Sequence, residues 1–207
     1  MAAGRRSLFG GVHPLAGRAD YAVLVADDLV VRAARPTDAR AIAEVSVASR
    51  RWSYRDVLAD ADVAALSVEQ TTADFAEGLA QLSPDSAVFV AELGGRVVGY
   101  AYLLPSPDAD TPAGTSELGS LYVTEDVAGT GVAPALTDAA VEHARAAGHG
   151  LLTLWVRPEN GRARRFYEKY GLQPDGGERS RPHDLLPIEM HEIRYRMSLE
   201  VPRPWPD

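Results

Sequence analysis

Residues 117–133 read Glu117-Leu118-Gly119-Ser120-Leu121-Tyr122-Val123, a short polar turn, and then Gly129-Thr130-Gly131-Val132-Ala133. The order strand, glycine turn, helix in this stretch decides the fold. Apolar and β-branched residues at its front predict a strand over about 116–123. Behind the glycines, Leu136, Ala139 or Ala140, His143 and Ala147 recur at helical spacing and predict a helix over about 134–147, those residues inward. Gly148 and Gly150 stop that helix. The near-continuous apolar run at 151–156 then predicts a buried strand of the kind parallel sheets use.

Toward the C-terminus, a helix over about 161–170 ends at Gly171, and a last strand falls at about 193–199. Toward the N-terminus, strands over 87–92 and 96–104 flank Gly94-Gly95, a strong hairpin signal. Leu29-Val30-Val31-Arg32-Ala33 predicts the first strand, ended by Arg35-Pro36. Thr37 or Asp38 then offers an N-cap to a helix over about 39–49 with Ile42 and Val45 inward. Residues 63–82 read as further helix anchored by Leu66, Phe75 and Leu79. Strand and helices, an antiparallel hairpin, then strand, helix, strand, helix, strand: the pattern is a three-layer α/β domain with a mixed sheet.

The 207 residues suit one domain, expected over 22–200, with a flexible leader over 1–21 and a flexible tail over 201–207. Arg5 and Arg6 open the chain, but no apolar stretch of useful length follows them. No apolar run approaches the roughly 20 residues a bilayer span needs. A net charge of −8 argues against nucleic acid as a partner. The absence of cysteine excludes disulfides, thiolate metal sites and cysteine nucleophiles, and fits the cytoplasm. His13, His143, His149, His183 and His191 are scattered with no i, i+4 pair, so no metal is expected.

Three features carry chemistry. Gly129-Thr130-Gly131-Val132-Ala133 joins a strand to a helix, where close backbone approach and unpaired N–H donors suit a pyrophosphate. Taken alone, such a turn is more often plain punctuation than a phosphate cradle. In Asn160-Gly161-Arg162-Ala163-Arg164-Arg165-Phe166-Tyr167-Glu168-Lys169-Tyr170-Gly171-Leu172, residues Ala163, Phe166 and Tyr170 form a core-facing stripe, while Tyr167 shares the face of Asn160. That pair is either a cap with an amphipathic tyrosine or two groups aimed at a ligand. Period-two alternation puts Glu117, Gly119, Leu121 and Val123 on one strand face, so Glu117 is either solvated or lines a cleft.

Together these stretches resemble the GNAT superfamily of acyl-CoA N-acyltransferases. Glu117 through Val123 with Gly129 through Ala133 looks like that family's acyl-CoA motif. Leu154-Trp155-Val156 followed by Asn160, Ala163, Phe166, Tyr167, Gly171 and Leu172 looks like its second motif, and the resemblance covers about 29–199. It implies a three-layer α/β/α fold whose central mixed, mostly antiparallel sheet is splayed at the acyl-CoA site. It implies that backbone groups of Leu121, Tyr122 and Val123 bind the pantetheine arm of acetyl-CoA. Ala128, Gly129, Thr130, Gly131, Val132 and Ala133 would hold the pyrophosphate, and Asn160 would contact the cofactor arm. Tyr167 would protonate the departing thiolate, Glu117 would deprotonate the amine, and no metal would be needed. The sequence departs from the family at Ala128, where Arg or Gln is usual, and at Pro134, which lacks an N–H.

The expected activity is acetyl transfer to a primary amine of a small molecule (an amino acid, an amine metabolite or an amine antibiotic). Protein or peptide acetylation and a non-catalytic acyl-CoA-binding module are the alternatives. No membrane partner is expected, and a homodimer is compatible with the reading. Trp52 and Tyr54 fall where the family commonly shapes its acceptor pocket. The segments 105–114 and 179–192 are expected to cover that pocket or to border a peptide groove.

Overall fold

In the computed structural model, residues 28–54, 66–182 and 189–200 are described, without the side chain of Tyr54. The expected leader and tail, His13 and His183 lie outside the described residues. Strand β1 (Leu29–Ala33) leads through a short 3-10 turn (Pro36–Asp38) into α1 (Ala39–Tyr54), and α2 (Val68–Ala80) follows. Strands β2 (Ala87–Leu93), β3 (Arg96–Pro105) and β4 (Thr115–Val123) lead through another 3-10 turn (Glu125–Val127) to α3 (Val132–Ala146). The chain closes with β5 (Leu151–Val156), α4 (Gly161–Tyr170), β6 (Gln173–Pro182) and β7 (Glu189–Ser198).

The strands form one sheet in the order β1-β2-β3-β4-β5-β7-β6. Only β4 and β5 pair in parallel; the other neighbours are antiparallel. The β2–β3 hairpin closes on Gly94 and Gly95, both at positive φ (57° and 79°), as a turn matched to strand twist demands. One face of the sheet packs on α3 and α4 through Leu103, Leu118, Leu136, Ala140, Leu152, Leu154 and Tyr170. The other packs on α1 and α2 through Ile42, Val45, Val88, Val90, Tyr100, Phe75 and Leu79. The three-layer mixed sheet anticipated above is therefore present.

Several local expectations need correcting. Asp38 does not cap α1; it turns back to Arg32, which reaches it through Nη1 at 2.7 Å and Nη2 at 2.9 Å. Asp38 Oδ2 also accepts from the Arg35 N–H at 2.6 Å, and Arg32 Nε donates to Glu92 at 2.5 Å, so this cluster ties β1 to β2. Helix α1 runs on to Tyr54, and α3 begins at Val132. Buried Leu136, Ala140, Val141 and Ala144 form the inner face of α3, while Ala147 is only its C-cap and exposed. Strand β6 was not anticipated, and β7 starts at Glu189 rather than near Ile193, so both ends of 179–192 are strand. Among the described residues, no helix is long and apolar enough to cross a membrane.

Candidate active site

Parallel pairing between β4 and β5 covers only Thr115↔Leu151, Ser116↔Leu152 and Glu117↔Thr153. Past that point the strands part, and a cleft of about 600 Å³ opens between them. Residues 119–123 of β4 line one side, and Trp155 and Val156 of β5 the other. A strand edge stripped of its neighbour presents N–H and C=O groups that an extended ligand can pair as an added strand. One such group is already engaged: Ser49 Oγ of α1 donates to the Val123 carbonyl at 2.8 Å.

At one end of the cleft, the glycine turn separates its amides into two sets. The Ala128 N–H donates to Glu125 O and the Thr130 N–H to Val127 O, each at 3.2 Å, so these two hold the turn together. Gly131 stands at the N-cap of α3 with φ 98°, a conformation that L side chains rarely adopt. It aims the first turn of α3 so that the Val132 and Ala133 amides have no carbonyl four residues back to bond. Those amides and the positive end of the helix dipole together favour an anion. Ala128, Gly129, Gly131, Ala133 and Pro134 line the cleft. Thr130 and Val132 do not: the Thr130 hydroxyl donates to Val127 O at 2.7 Å, and the Val132 side chain enters the core.

Helix α4 supplies the facing wall. Asn160 Oδ1 accepts from the Ala163 N–H at 3.1 Å, the N-cap bond that starts the helix, and Asn160 still lines the cleft with Ala163, Phe166 and Tyr167. The shared facing of Asn160 and Tyr167 is thus seen directly, and the cap and the cleft wall are one residue. Tyr167 is buried, its ring edge-on to Phe166 at 5.3 Å and tilted against Tyr195 at 6.3 Å. Burial pushes its phenol well above the ordinary tyrosine value, with a smaller push from Tyr122. Such a phenol holds its proton at neutral pH and can give it to a strong base.

Glu117 lies at the last paired position, where the strands begin to part. It is 7% exposed, and Oε2 is buried with no hydrogen-bond partner among the described residues. Burial raises its carboxyl above the ordinary glutamate value; Arg179 opposes the rise, Asp108 and Glu192 add to it, and Arg181 opposes it. A carboxyl poised this way can take a proton once ionised. The expected alternation along β4 fails here, because the β3–β4 register shifts: Tyr102 pairs with Ser120 but Leu103 with Leu118. The β-bulge at Gly119 moves Leu118 into the core beside Leu121 and Val123, and turns Glu117 to the opposite face.

Sequence reasoning missed the charged wall around Glu117. Trp155 Nε1 donates to Asp108 Oδ2 at 3.0 Å, and the Arg179 guanidinium lies 4.2 Å from the Trp155 ring centroid. Arg194 bonds Asp110 at 2.7 Å and Asp175 at 2.9 Å. Arg179 and Arg181 both donate to Glu192 Oε2, at 2.8 Å and 3.0 Å. Asp108 and Asp110 come from 105–114, and Arg179, Arg181 and Glu192 from 179–192, the two segments singled out as pocket borders; Asp175 of β6 and Arg194 of β7 lie just outside them. Their pairing, 84 and 86 residues apart for Arg194, has no signature in any local pattern. Elsewhere, Trp52 stacks under Arg162 at 3.4 Å, Arg164 bonds Tyr195, and His143 packs edge-on to Phe89. Among the described residues, no cluster of three or more His, Cys, Asp or Glu is placed to hold a metal ion.

Residues 51–172 match the Acetyltransferase (GNAT) family. A Mycobacterium tuberculosis protein that carries the name uncharacterized N-acetyltransferase is 35% identical over 143 residues, which span 68% of this chain and 86% of its own length. Among solved structures, a GCN5-related N-acetyltransferase from Rhodopseudomonas palustris superposes with a TM-score of 0.64 at 25% identity, covering 82% of this chain and 94% of its own. The PaiA N-acetyltransferase of Thermoplasma acidophilum, determined in complex with coenzyme A, has a TM-score of 0.63 at 16% identity and covers 82% of this chain and 98% of its own. Salmonella typhimurium YncA, a putative acetyltransferase determined with acetyl-CoA, has a TM-score of 0.61 at 19% identity and covers 86% of this chain and 98% of its own. The chain belongs to the acetyltransferase (GNAT) family and is an acyltransferase.

Proposed function

We propose that this protein transfers an acetyl group from acetyl-CoA to the primary amine of a small molecule, by direct attack within a ternary complex. The observation that carries the reading is the cleft itself. It opens where β4 and β5 cease to pair, with Tyr167 in its wall and Glu117 at the last paired position, next to the lining residue Leu118 rather than among the residues that line it. In this reading the pantetheine arm lies along Leu121, Tyr122 and Val123 as a surrogate strand. The pyrophosphate meets the amides of Gly129, Gly131, Val132 and Ala133, with Ala128 and Thr130 shaping the turn behind them. Asn160 fixes the start of α4 beside the arm. The coenzyme bound to the Thermoplasma and Salmonella proteins supports this choice of donor.

An amine reaches the site largely protonated, so a base must remove its proton before the nitrogen attacks the thioester carbonyl. Glu117, raised by burial and with a buried oxygen that has no partner among the described residues, suits that task directly or through one water. Collapse of the tetrahedral adduct breaks the C–S bond and leaves a thiolate. Tyr167, which keeps its proton, donates to that sulfur. Thiol release from acetyl-CoA measured across a panel of small amines and lysine peptides tests the proposal. Release with small amines supports it, release with peptides alone replaces the acceptor class, and release with neither removes it.

A further inference from the structure

We infer that Asp108 is a positioning residue for the acceptor amine: it fixes the Trp155 indole as a wall of the cleft on the side where the amine meets Glu117. This inference rests on the acetyl transfer proposed above and adds how the acceptor side of that site is shaped.

Strand register puts these groups on one face of the sheet. Leu152 and Leu154 of β5 and Tyr195 of β7 enter the core under α3 and α4. Alternation therefore points Thr153, Trp155 and Arg194 to the opposite face, where Trp155 pairs with Arg194. Glu117 pairs with Thr153 and shares that face. On β2, β3 and β4 the same face is covered by α1 and α2, which pack on Val88, Tyr100 and Tyr122. Over Trp155 it is met instead by the β3–β4 connection, residues 106–114, through Asp108.

That connection holds Asp108 firmly. The Asp108 carbonyl accepts from the Thr111 N–H at 3.2 Å and the Thr111 hydroxyl at 2.8 Å. Arg194 ties the connection to the sheet: its Nη1 donates to Asp108 Oδ2 at 3.3 Å and to Asp110 Oδ1 at 2.7 Å, and its Nη2 to Asp110 Oδ2 at 2.7 Å. Against this fixed carboxylate Trp155 Nε1 donates to Asp108 Oδ2 at 3.0 Å, with the Arg179 and Arg194 guanidiniums 4.2 Å and 5.3 Å from its ring centroid. Trp155 is half-buried and lines the cleft. Water can satisfy a half-exposed indole N–H, and a carboxylate beside Arg194 and Arg179 needs no further donor. What the bond adds is orientation: it fixes the plane of the ring against which an acceptor would lie. A displacement of about 1 Å at a reacting centre costs up to about 10²-fold in rate.

Asp108→Ala leaves Arg194 with Asp110 and Asp175 and Arg179 with Glu192, so neither guanidinium loses its last carboxylate. The probe is the amine or peptide of the panel that the parent protein acetylates fastest. Asp108→Ala should raise the KM for that acceptor about tenfold, the size of one charged hydrogen bond, and leave acetyl-CoA affinity by calorimetry little changed. Asp108→Asn removes the same charge but keeps an oxygen for the indole N–H, and should restore most of the loss. Trp155→Phe keeps a ring without the N–H, so Asp108→Ala should add little in that background. The bond itself can be followed with no acceptor present. Of the three tryptophan indole N–H signals in an NMR spectrum, the one absent from Trp155→Phe should exchange with solvent faster in Asp108→Ala than in the parent or Asp108→Asn. Unchanged exchange, an unchanged acceptor KM, equal losses in the Ala and Asn variants, or additive effects of the two substitutions each overturn the inference while leaving acetyl transfer standing. If acetyl-CoA binds and the parent protein acetylates no amine or peptide, the acetyl transfer reading falls, and this inference with it.

Discussion

In the proposed reaction the roles of Glu117 and Tyr167 both follow from burial, with consequences that can be separated. For the glutamate, desolvation favours the neutral acid, so the carboxyl ionises at a higher pH than a surface glutamate. The acid limb of kcat/KM should therefore sit above the ordinary glutamate range, activity rising as pH passes through the raised value. Glu117→Gln should abolish that limb and lower the rate most above it but still near neutral pH, where the parent base is ionised and the amine is protonated; higher pH, which deprotonates the amine in solution, should partly restore it. For the tyrosine, desolvation keeps the proton on, which suits an acid and not a base. Tyr167→Phe keeps the ring packed on Phe166 and Tyr195 and removes only the donor. It should slow acyl transfer by about 10² to 10⁴ with acetyl-CoA affinity little changed, and raising pH should not rescue it. Pre-steady-state rates are the appropriate readout, because slow product release would mask both effects. If both variants keep near-normal rates with the true acceptor, the acid and base lie elsewhere.

At the scale of the element, the turn before α3 couples backbone strain to ligand binding. Gly131 has φ 98°, so any side chain there is strained before a ligand is considered. Gly131→Ala and Gly131→Glu should both lower the melting temperature, by similar amounts. Only Gly131→Glu, which sets a carboxylate where the proposed binding mode brings the pyrophosphate to the helix, should abolish acetyl-CoA binding in a titration of the folded protein. Equal affinity for the two variants would take the turn out of the site. Glycine turns and the hairpin were legible in sequence because their requirement is local: a positive φ at a defined residue. The cleft-facing helix was legible because Asn160 and Tyr167 repeat at the helical period. Strand β6 was not, since Gln173–Pro182 lies at the sheet edge, alternates exposed with half-buried residues, and has no apolar run to betray it. Nor was the bulge at Gly119, because register belongs to a pair of strands rather than to one. The same holds for Asp38, taken for a cap until Arg32 and Glu92 stood beside it. The Arg32 guanidinium holds the Asp38 carboxyl below its ordinary value. A carboxyl depressed in the folded state stabilises it above the unfolded aspartate value of about 3.9, and that contribution is lost as pH falls through the folded value. Asp38→Asn should accordingly lower stability at neutral pH and flatten its decline in acid, as followed by urea unfolding at a series of pH values. An unchanged acid decline would mean that other carboxyls govern it.

On the scale of the whole molecule, the cleft lies where separately packed parts meet. Strand β4 belongs to both faces of the sheet, α1 reaches it through Ser49, and α3 and α4 supply the glycine turn and the Asn160–Tyr167 wall. A ligand that lies along β4 and ends at α3 touches all of these at once, and the unfolded chain presents no such arrangement. Binding to the folded state alone stabilises it by RT ln(1 + [L]/Kd), about 2.7 kcal/mol at a hundredfold excess over Kd. Acetyl-CoA should therefore raise the melting temperature, and the rise should grow with ligand concentration without a plateau at saturation. ATP and NADH could offer phosphates to the α3 amides but lack the pantetheine arm that the proposed binding mode lays along the β4 edge, so each should stabilise the protein much less. Pro134 has no amide to offer a phosphate and Ala128 no long polar side chain, so in the proposed binding mode more of the affinity would rest on the arm. A shift with ATP as large as that with acetyl-CoA would mean that the phosphates alone are read and that the β4 edge contributes nothing, and the cleft would then be a general nucleotide site.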